Sequence, residues 1–137
     1  MLSNKQIPPE AYGPPAVVLD DEGVTLWLGG KADSRIHWSQ IDLVEIGIVT
    51  AADSEYAEAF WRLAGEDVEF IAPVEVIVNA IQLNEKLFML SGFDMEMYGR
   101  AREAETQGHS AEFVCWRKGN AEQTLGADSP VSGLYSK

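Results

Sequence analysis

Hydrophobic and polar positions alternate in short runs along the first half of the chain, with turn residues between the runs. In the longest run, Val44, Ile46 and Ile48 fall on one face. Such alternation, rich in β-branched and aromatic residues, indicates half-buried strands. The runs cover residues 16–20, 23–28, 35–38, 41–50, 59–63 and 68–72, and a seventh follows at 111–117. Because the first six lie too close in sequence for parallel crossovers, we expect an antiparallel meander.

The hydrophobic period changes to that of an α-helix after Pro73. Residues 74–90 carry two apolar stripes on nearly opposite sides, which predicts a helix that is covered twice. Gly92 suits the cap after this helix, and Asp94 suits the N-cap of a second helix over residues 95–105. The predicted fold class is therefore α+β: an antiparallel β meander or half-barrel of about seven strands, with two late helices before the last strand.

One apolar stripe of the first predicted helix is a candidate self-association surface. It contains Val76, Leu83, Leu87 and Leu90. The second helix presents mainly small alanines toward this stripe, so part of the stripe is left uncovered. We expect a second copy of the chain to cover it in a homodimer, unless the N-terminal arm folds over it. Leu83→Glu then gives a folded monomer, whereas unfolding of that variant would place the stripe inside the molecule.

The ends of the chain differ in composition from its middle. Four of the six prolines stand at Pro8, Pro9, Pro14 and Pro15, which predicts a flexible, Pro-rich arm over residues 1–15. Apolar residues become sparse after Lys118, so residues 119–137 are predicted to be a flexible tail. A single globular domain over residues 16–118 remains between them.

The charge balance restricts the kinds of partner that the chain can bind. Ten Lys and Arg against 22 Asp and Glu give a formal net charge of −12. This charge repels nucleic-acid phosphates and anionic membrane surfaces, so we expect neither as a partner. No apolar stretch approaches the ~18 residues of a membrane-spanning helix, and the first residues lead into prolines rather than a secretory signal. A cytoplasmic location is therefore expected.

Several short segments carry a resemblance to a known family. They are Ile36-x-Trp38-x-x-Ile41, Phe60-Trp61, Gly92-Phe93-Asp94 and Phe113-Val114-Cys115-Trp116. Together they resemble a family of small uncharacterised bacterial proteins with a pleckstrin-homology-like strand meander. The resemblance covers about 100 residues and implies that fold and a bacterial, cytoplasmic origin. Its marks are core and turn positions, so it implies no catalytic or ligand-binding residue.

Candidate catalytic and metal-binding side chains are few and far apart in the sequence. The single cysteine, Cys115, alternates onto a strand face beside Phe113, where a buried and inert thiol is expected. His37 and His109 belong to no zinc-binding spacing, and no phosphate-binding or nucleophile motif occurs. We therefore expect no cofactor, no metal and no catalytic residue.

The densest acidic segment is the candidate partner-binding site. Asp53, Glu55, Tyr56 and Glu58 combine three carboxylates with an aromatic ring. The segment lacks the spacing of a calcium loop. It suits either a solvated loop or a docking site for a basic protein.

Three functions are compatible with these patterns. The favoured hypothesis is a non-enzymatic, acidic protein-interaction module, for example an immunity-type inhibitor of a basic toxin. The alternative is a small-molecule binder that uses the barrel mouth or the groove beside the long helix. An enzyme is the third hypothesis, and the sequence offers no constellation of catalytic residues for it.

Overall fold

A computed structural model describes residues 14–50 and 56–119 of the chain. They form seven strands and two α-helices, in the order β1 (Ala16–Leu19), β2 (Gly23–Leu28), β3 (Lys31–His37), β4 (Leu43–Thr50), β5 (Ala57–Ala64), β6 (Glu69–Pro73), α1 (Ala80–Phe88), α2 (Met95–Gln107) and β7 (Ala111–Arg117), with a short 3-10 helix at Trp38–Gln40 between β3 and β4. One antiparallel sheet has the order β1-β2-β3 and the other β6-β5-β4-β7. The predicted α+β class is confirmed, with seven strands and both helices before the last strand. The predicted arm and tail lie outside the described residues except at positions 14, 15 and 119.

The segment after β6 closes the β1 edge of the three-stranded sheet. The Val17 amide donates to the Val78 carbonyl at 3.1 Å, and the Val78 amide donates to the Pro15 carbonyl at 3.1 Å. The Asn79 side-chain amide donates to the Val17 carbonyl at 3.0 Å. These bonds satisfy backbone groups that an edge strand otherwise leaves unpaired.

The four-stranded sheet has one buried face and one outer face. The predicted face of β4 is confirmed, since Val44, Ile46 and Ile48 are all buried. The alternate residues of the sheet form its outer face, which includes Glu45, Gly47, Val49, Glu58, Phe60, Arg62, Ile71 and Glu112. Opposite Gly47, the pairing places Phe60 of β5 on one side and Glu112 of β7 on the other.

The first helix is shorter than its periodicity predicted. It begins at Ala80 rather than at residue 74, because Val76 and Asn79 have φ angles of 58° and 69°. Left-handed residues interrupt a right-handed helix, so residues 74–79 form a loop. The second helix begins as predicted, since the Asp94 carboxylate accepts the Met97 amide at 3.0 Å.

Both sheets and both helices contribute to one hydrophobic core. Trp61 lies at its aromatic centre, with ring centroids 6.4 Å from Phe88 and 6.0 Å from Tyr98. The Trp61 indole donates to Asn84 Oδ1 at 2.7 Å, and Asn84 Nδ2 donates to the Val74 carbonyl at 3.1 Å. The space between the sheets and the helices is thus filled by side chains. In the described part of the chain, neither helix has the length and apolar character needed to cross a membrane.

Candidate interaction surface

A groove of about 480 Å³ lies at the start of β5 and contains two of the predicted partner-binding residues. We call it the Tyr56 groove. Its lining includes Val49, Tyr56, Glu58, Glu75, Val76 and Glu105. Tyr56 is 81% exposed, and Glu58 is also exposed. Aromatic and aliphatic side chains that stand in solvent beside carboxylates are typical of protein-binding surfaces rather than of folded cores.

Val76 forms one wall of the Tyr56 groove in an unusual backbone conformation. A β-branched residue at a φ of 58° is sterically disfavoured, and yet the Val76 side chain is 87% exposed. Such a residue is held in place by the structure on either side of it. The Asn84 amide bonds the Val74 carbonyl on one side, and the Val78 and Asn79 bonds to β1 hold the other. The loop therefore presents an apolar side chain to solvent at a fixed position.

Arg102 of α2 anchors the acidic wall of the same groove. Its guanidinium lies 2.8 Å from a Glu75 carboxylate oxygen and 2.8 Å from one of Glu105. It also donates to the Tyr98 hydroxyl at 3.0 Å. These contacts fix Glu75 and Glu105 in orientation and neutralise part of their charge. Glu58 makes no ion pair with any residue that the structure describes.

A second groove, of about 380 Å³, lies on the outer face of the four-stranded sheet. We call it the Ile71 groove. Its lining includes Val49, Phe60 and Ile71 as apolar residues, with Glu45, Arg62 and Glu112 around them. Arg62 bonds Glu45 at 3.0 Å and also pairs with Glu69. Val49 and Phe60 line both grooves, so the two grooves form one continuous surface.

Carboxylates dominate the charge of this surface. Five glutamates and one arginine line the two grooves. Arg62 and Arg102 each pair with two of the surrounding glutamates, whereas Glu58 and Glu112 have no ion-pair partner among the described residues. The surface therefore keeps a negative potential, and it can attract a cationic partner.

The predicted partner-binding residues fall partly on this surface. Tyr56 and Glu58 lie in the Tyr56 groove, whereas Asp53 and Glu55 lie outside the described residues. Sequence reasoning missed Glu75, Val76 and Glu105 as members of the same site. They are distant in sequence, and only the fold brings them opposite Glu58.

The predicted self-association stripe is not one exposed face. Leu83 and Leu87 are each 1% exposed and belong to the core of the single chain, and Leu90 is half-buried. Val76 stands apart from them, because it lies in the loop before α1. The predicted stripe is broken because α1 begins at Ala80, so that Val76 is not part of the helix.

The other candidate side chains do not form a reactive cluster. Cys115 is 1% exposed, and its burial, together with Asp94 and Glu45, raises the pKa of the thiol to about 12. His37 and His109 are both exposed. Among the residues described, no group of three His, Cys, Asp or Glu side chains has the geometry of a metal site.

Phe60 and Glu112 also belong to this surface; from the sequence, Phe60 was named only as part of the Phe60-Trp61 resemblance, and Glu112 was not singled out. Their signal was present in the strand alternation, since a large aromatic residue beside the buried Trp61 must point to the opposite face.

In comparisons with known proteins, no family model, no curated protein and no solved structure matches this chain.

Proposed function

We propose that this chain is a non-enzymatic interaction module that binds a basic protein through the Tyr56 groove. The observation that supports this most directly is the presence of exposed Tyr56 and Val76 side chains beside the Glu58 carboxylate, which has no ion-pair partner among the described residues. Tyrosine is a frequent anchor of protein interfaces because it buries much apolar area at little entropic cost. The carboxylates around it favour a partner that carries lysine or arginine.

The whole chain has the same electrostatic preference as the groove. A net charge of −12 accelerates encounter with a cationic protein over distances of about 10 Å at moderate salt. An inhibitor of a basic toxin, of the immunity type, is a partner relationship that matches this size and charge. We extend the proposal to a pleckstrin-homology-like meander, which the sheet order and the late helices support. The resemblance, and not the structure, is the ground for proposing a bacterial, cytoplasmic protein.

A small-molecule binder is the second candidate function. That hypothesis placed the ligand in the barrel mouth or beside the long helix. Trp61, Phe70 and Leu83 fill the interior, and the two grooves that border α1, of about 310 and 590 Å³, lie at the surface. The grooves on the described part of the chain are open surface features. Such a shape suits a protein surface better than a small ligand, which is usually enclosed on most sides.

The experiment that tests the proposal is affinity capture with matched charge variants. Glu58→Lys changes a groove carboxylate, and Glu66→Lys makes the same charge change in an exposed turn outside both grooves. We expect wild type and Glu66→Lys to retain the same basic protein from a lysate, and Glu58→Lys to lose it. The retained protein is then purified, and its affinity is measured by calorimetry at low and high salt.

Val76→Asn provides a second variant with intact backbone geometry, since asparagine tolerates the left-handed region. We expect it to weaken binding by about tenfold while the circular dichroism spectrum stays unchanged. A captured protein that is acidic, or one that binds Glu58→Lys as tightly as wild type, contradicts the proposal.

A further inference from the structure

We propose that the partner contributes an extended segment, in which basic residues flank apolar ones, and that it lies along β4 and β5 from the Tyr56 groove to the Ile71 groove. This inference rests on the proposed function and specifies the form of the partner. It starts from the continuity of the two grooves, since Val49 and Phe60 line both of them.

The centre of the surface is apolar and has room for side chains of the partner. Val49 and Ile71 are exposed, and Phe60 is half-exposed between them. Apart from Gly47 and its two chain neighbours, no described residue has an atom within 4 Å of the position that a Cβ of Gly47 would occupy. The sheet surface is therefore bare backbone at Gly47, with Phe60 opposite it on β5. A leucine or a similar side chain of the partner fits over this position.

Two carboxylates border this apolar centre, one at its Tyr56 end and one on its β7 side. Glu58 lies opposite Val49 in the sheet, and Glu112 lies opposite Gly47 on the other side of β4. Neither forms an ion pair within the described residues. Lysine and arginine have aliphatic stems that pack on apolar surface while the charged group reaches a carboxylate. A basic residue on one side of an apolar one can therefore reach Glu58, and a basic residue on the other side can reach across β4 to Glu112.

The direction of the segment follows from the pairing of β4 with β5. Outer positions alternate along β4 as Val49, Gly47 and Glu45, and their partners on β5 are Glu58, Phe60 and Arg62. An extended chain repeats its side chains with the same period of two residues as these strands. A helix presents side chains at a different spacing and meets fewer of these positions.

A second copy of this chain is a poorer occupant of the same surface. In a twofold symmetric pair, the patch faces itself, so Glu58 and Glu112 of one copy meet the same acidic surface on the other. Like charges at an interface oppose association. A cationic segment reverses this repulsion, and so charge complementarity selects it.

Two synthetic peptides separate the apolar contribution from the electrostatic one. The first is Lys-Lys-Leu-Ser-Leu-Lys-Lys and the second has glycine in place of both leucines, each blocked at its ends. We measure their affinities for the full chain at 50 mM NaCl by following amide chemical shifts in nuclear magnetic resonance spectra. We expect the leucine peptide to bind about tenfold more tightly and to shift the amides of Gly47, Val49 and Phe60.

Phe60→Ser is the decisive variant, and Leu28→Ser is its control, since Leu28 is exposed on β2 outside both grooves. We expect Phe60→Ser to reduce the affinity of the leucine peptide to that of the glycine peptide, and Leu28→Ser to leave the tenfold difference intact. We expect Glu112→Lys to weaken both peptides. Circular dichroism confirms that each variant is folded.

Three results would overturn this inference. If the two peptides bind equally and Glu58→Lys weakens both, the extended apolar segment is contradicted, whereas the proposal of a basic partner still holds. If neither peptide binds, the extended segment is also contradicted. The proposed function is tested independently, by affinity capture with Glu58→Lys. A wild-type dimer that Phe60→Ser converts to a monomer in analytical ultracentrifugation assigns the surface to a second copy.

Discussion

Cys115 shows how burial controls the chemistry of a single side chain. The sequence predicted that its thiol is buried on a strand, and this position is confirmed. Burial comes first among the causes that raise its pKa to about 12, and the negative charges of Asp94 and Glu45 add to the effect. The thiolate is the nucleophilic form of cysteine, so the folded chain holds Cys115 in its unreactive form at neutral pH.

The raised pKa of Cys115 predicts how stability changes in alkali. In the unfolded chain the thiol ionises near its ordinary pKa of 9.0, whereas in the folded chain it ionises near about 12. The stabilising contribution is fully present below pH 9 and is lost as the pH rises toward 12. We expect the free energy of unfolding to fall more steeply between pH 9 and 10.5 for wild type than for Cys115→Ala, by at most about 1.4 kcal/mol per pH unit. Urea titrations at several pH values measure the two slopes.

Native thiol labelling checks the same burial independently. We expect Ellman's reagent to react slowly with the folded chain at pH 8 and rapidly once urea is added. Fast labelling of the native chain, or parallel alkaline slopes for wild type and Cys115→Ala, would contradict the assignment.

At the scale of elements, α1 has one buried side and one exposed side. Leu83 is 1% exposed in the core, whereas Ile81 on the same helix is 67% exposed. A charge at Leu83 would be buried without a partner, at a cost of several kcal/mol. We therefore expect Leu83→Glu to unfold the chain and Ile81→Glu to stay folded, as measured by circular dichroism. A folded, monomeric Leu83→Glu would instead restore the self-association stripe that the helix periodicity suggested.

Two glycines give a matched pair of backbone substitutions with opposite expected signs. A Cβ on Gly23 in β2 would lie 2.3 Å from the Ile36 carbonyl oxygen of β3, so Gly23→Ala must distort the sheet. A Cβ on Gly99 in the middle of α2 meets no atom of the described residues within 4 Å, apart from its chain neighbours and the backbone of its own helix. We expect Gly99→Ala to stabilise the chain by about 0.5–1 kcal/mol and Gly23→Ala to destabilise it. Urea denaturation measures both, and destabilisation by Gly99→Ala would contradict the open environment of that helix face.

The strands were easier to predict from the sequence than the first helix or the surface. Alternation located six of the seven strands to within about two residues at each end, because they bury apolar residues. It missed the first four residues of β3, where Ile36 is the one buried residue of the strand. Residues 74–79 have a helical period of apolar residues, but the loop bonds its backbone to β1 and β5 instead. That tertiary pairing overrides local periodicity. The surface was predictable at Tyr56 and Glu58, but Glu75 and Glu105 join them only through the packing of α2 and the loop.

For the molecule as a whole, excess negative charge opposes compact folding. Seven ion pairs join described residues, and most of them lie at the surface, where salt screens them as well. Because the chain has twelve surplus negative charges, salt stabilises the fold more by screening their mutual repulsion than it destabilises the fold by weakening the ion pairs. We expect the melting temperature at neutral pH to rise by a few degrees when NaCl is increased from 20 to 300 mM, roughly the shift that ~1 kcal/mol produces.

A double variant is the control for the salt effect. Glu66→Lys with Glu112→Lys removes four of the twelve surplus charges at exposed positions. We expect the salt-dependent rise in melting temperature to become smaller in this variant. A flat or falling response of the wild type would mean that local pairing already balances the repulsion.

The bonds between β1 and the loop at Val78 also set an order for folding during synthesis. A chain made from its amino end exposes β1, β2 and β3 first, and Val78 emerges from the ribosome only after about sixty further residues have followed β1. Until then the outer edge of β1 offers free amides and carbonyls to any neighbouring strand. The nascent sheet is therefore most prone to intermolecular pairing before the loop arrives. A ribosome stalled between β3 and Val78 should present a more aggregation-prone chain than one stalled beyond it.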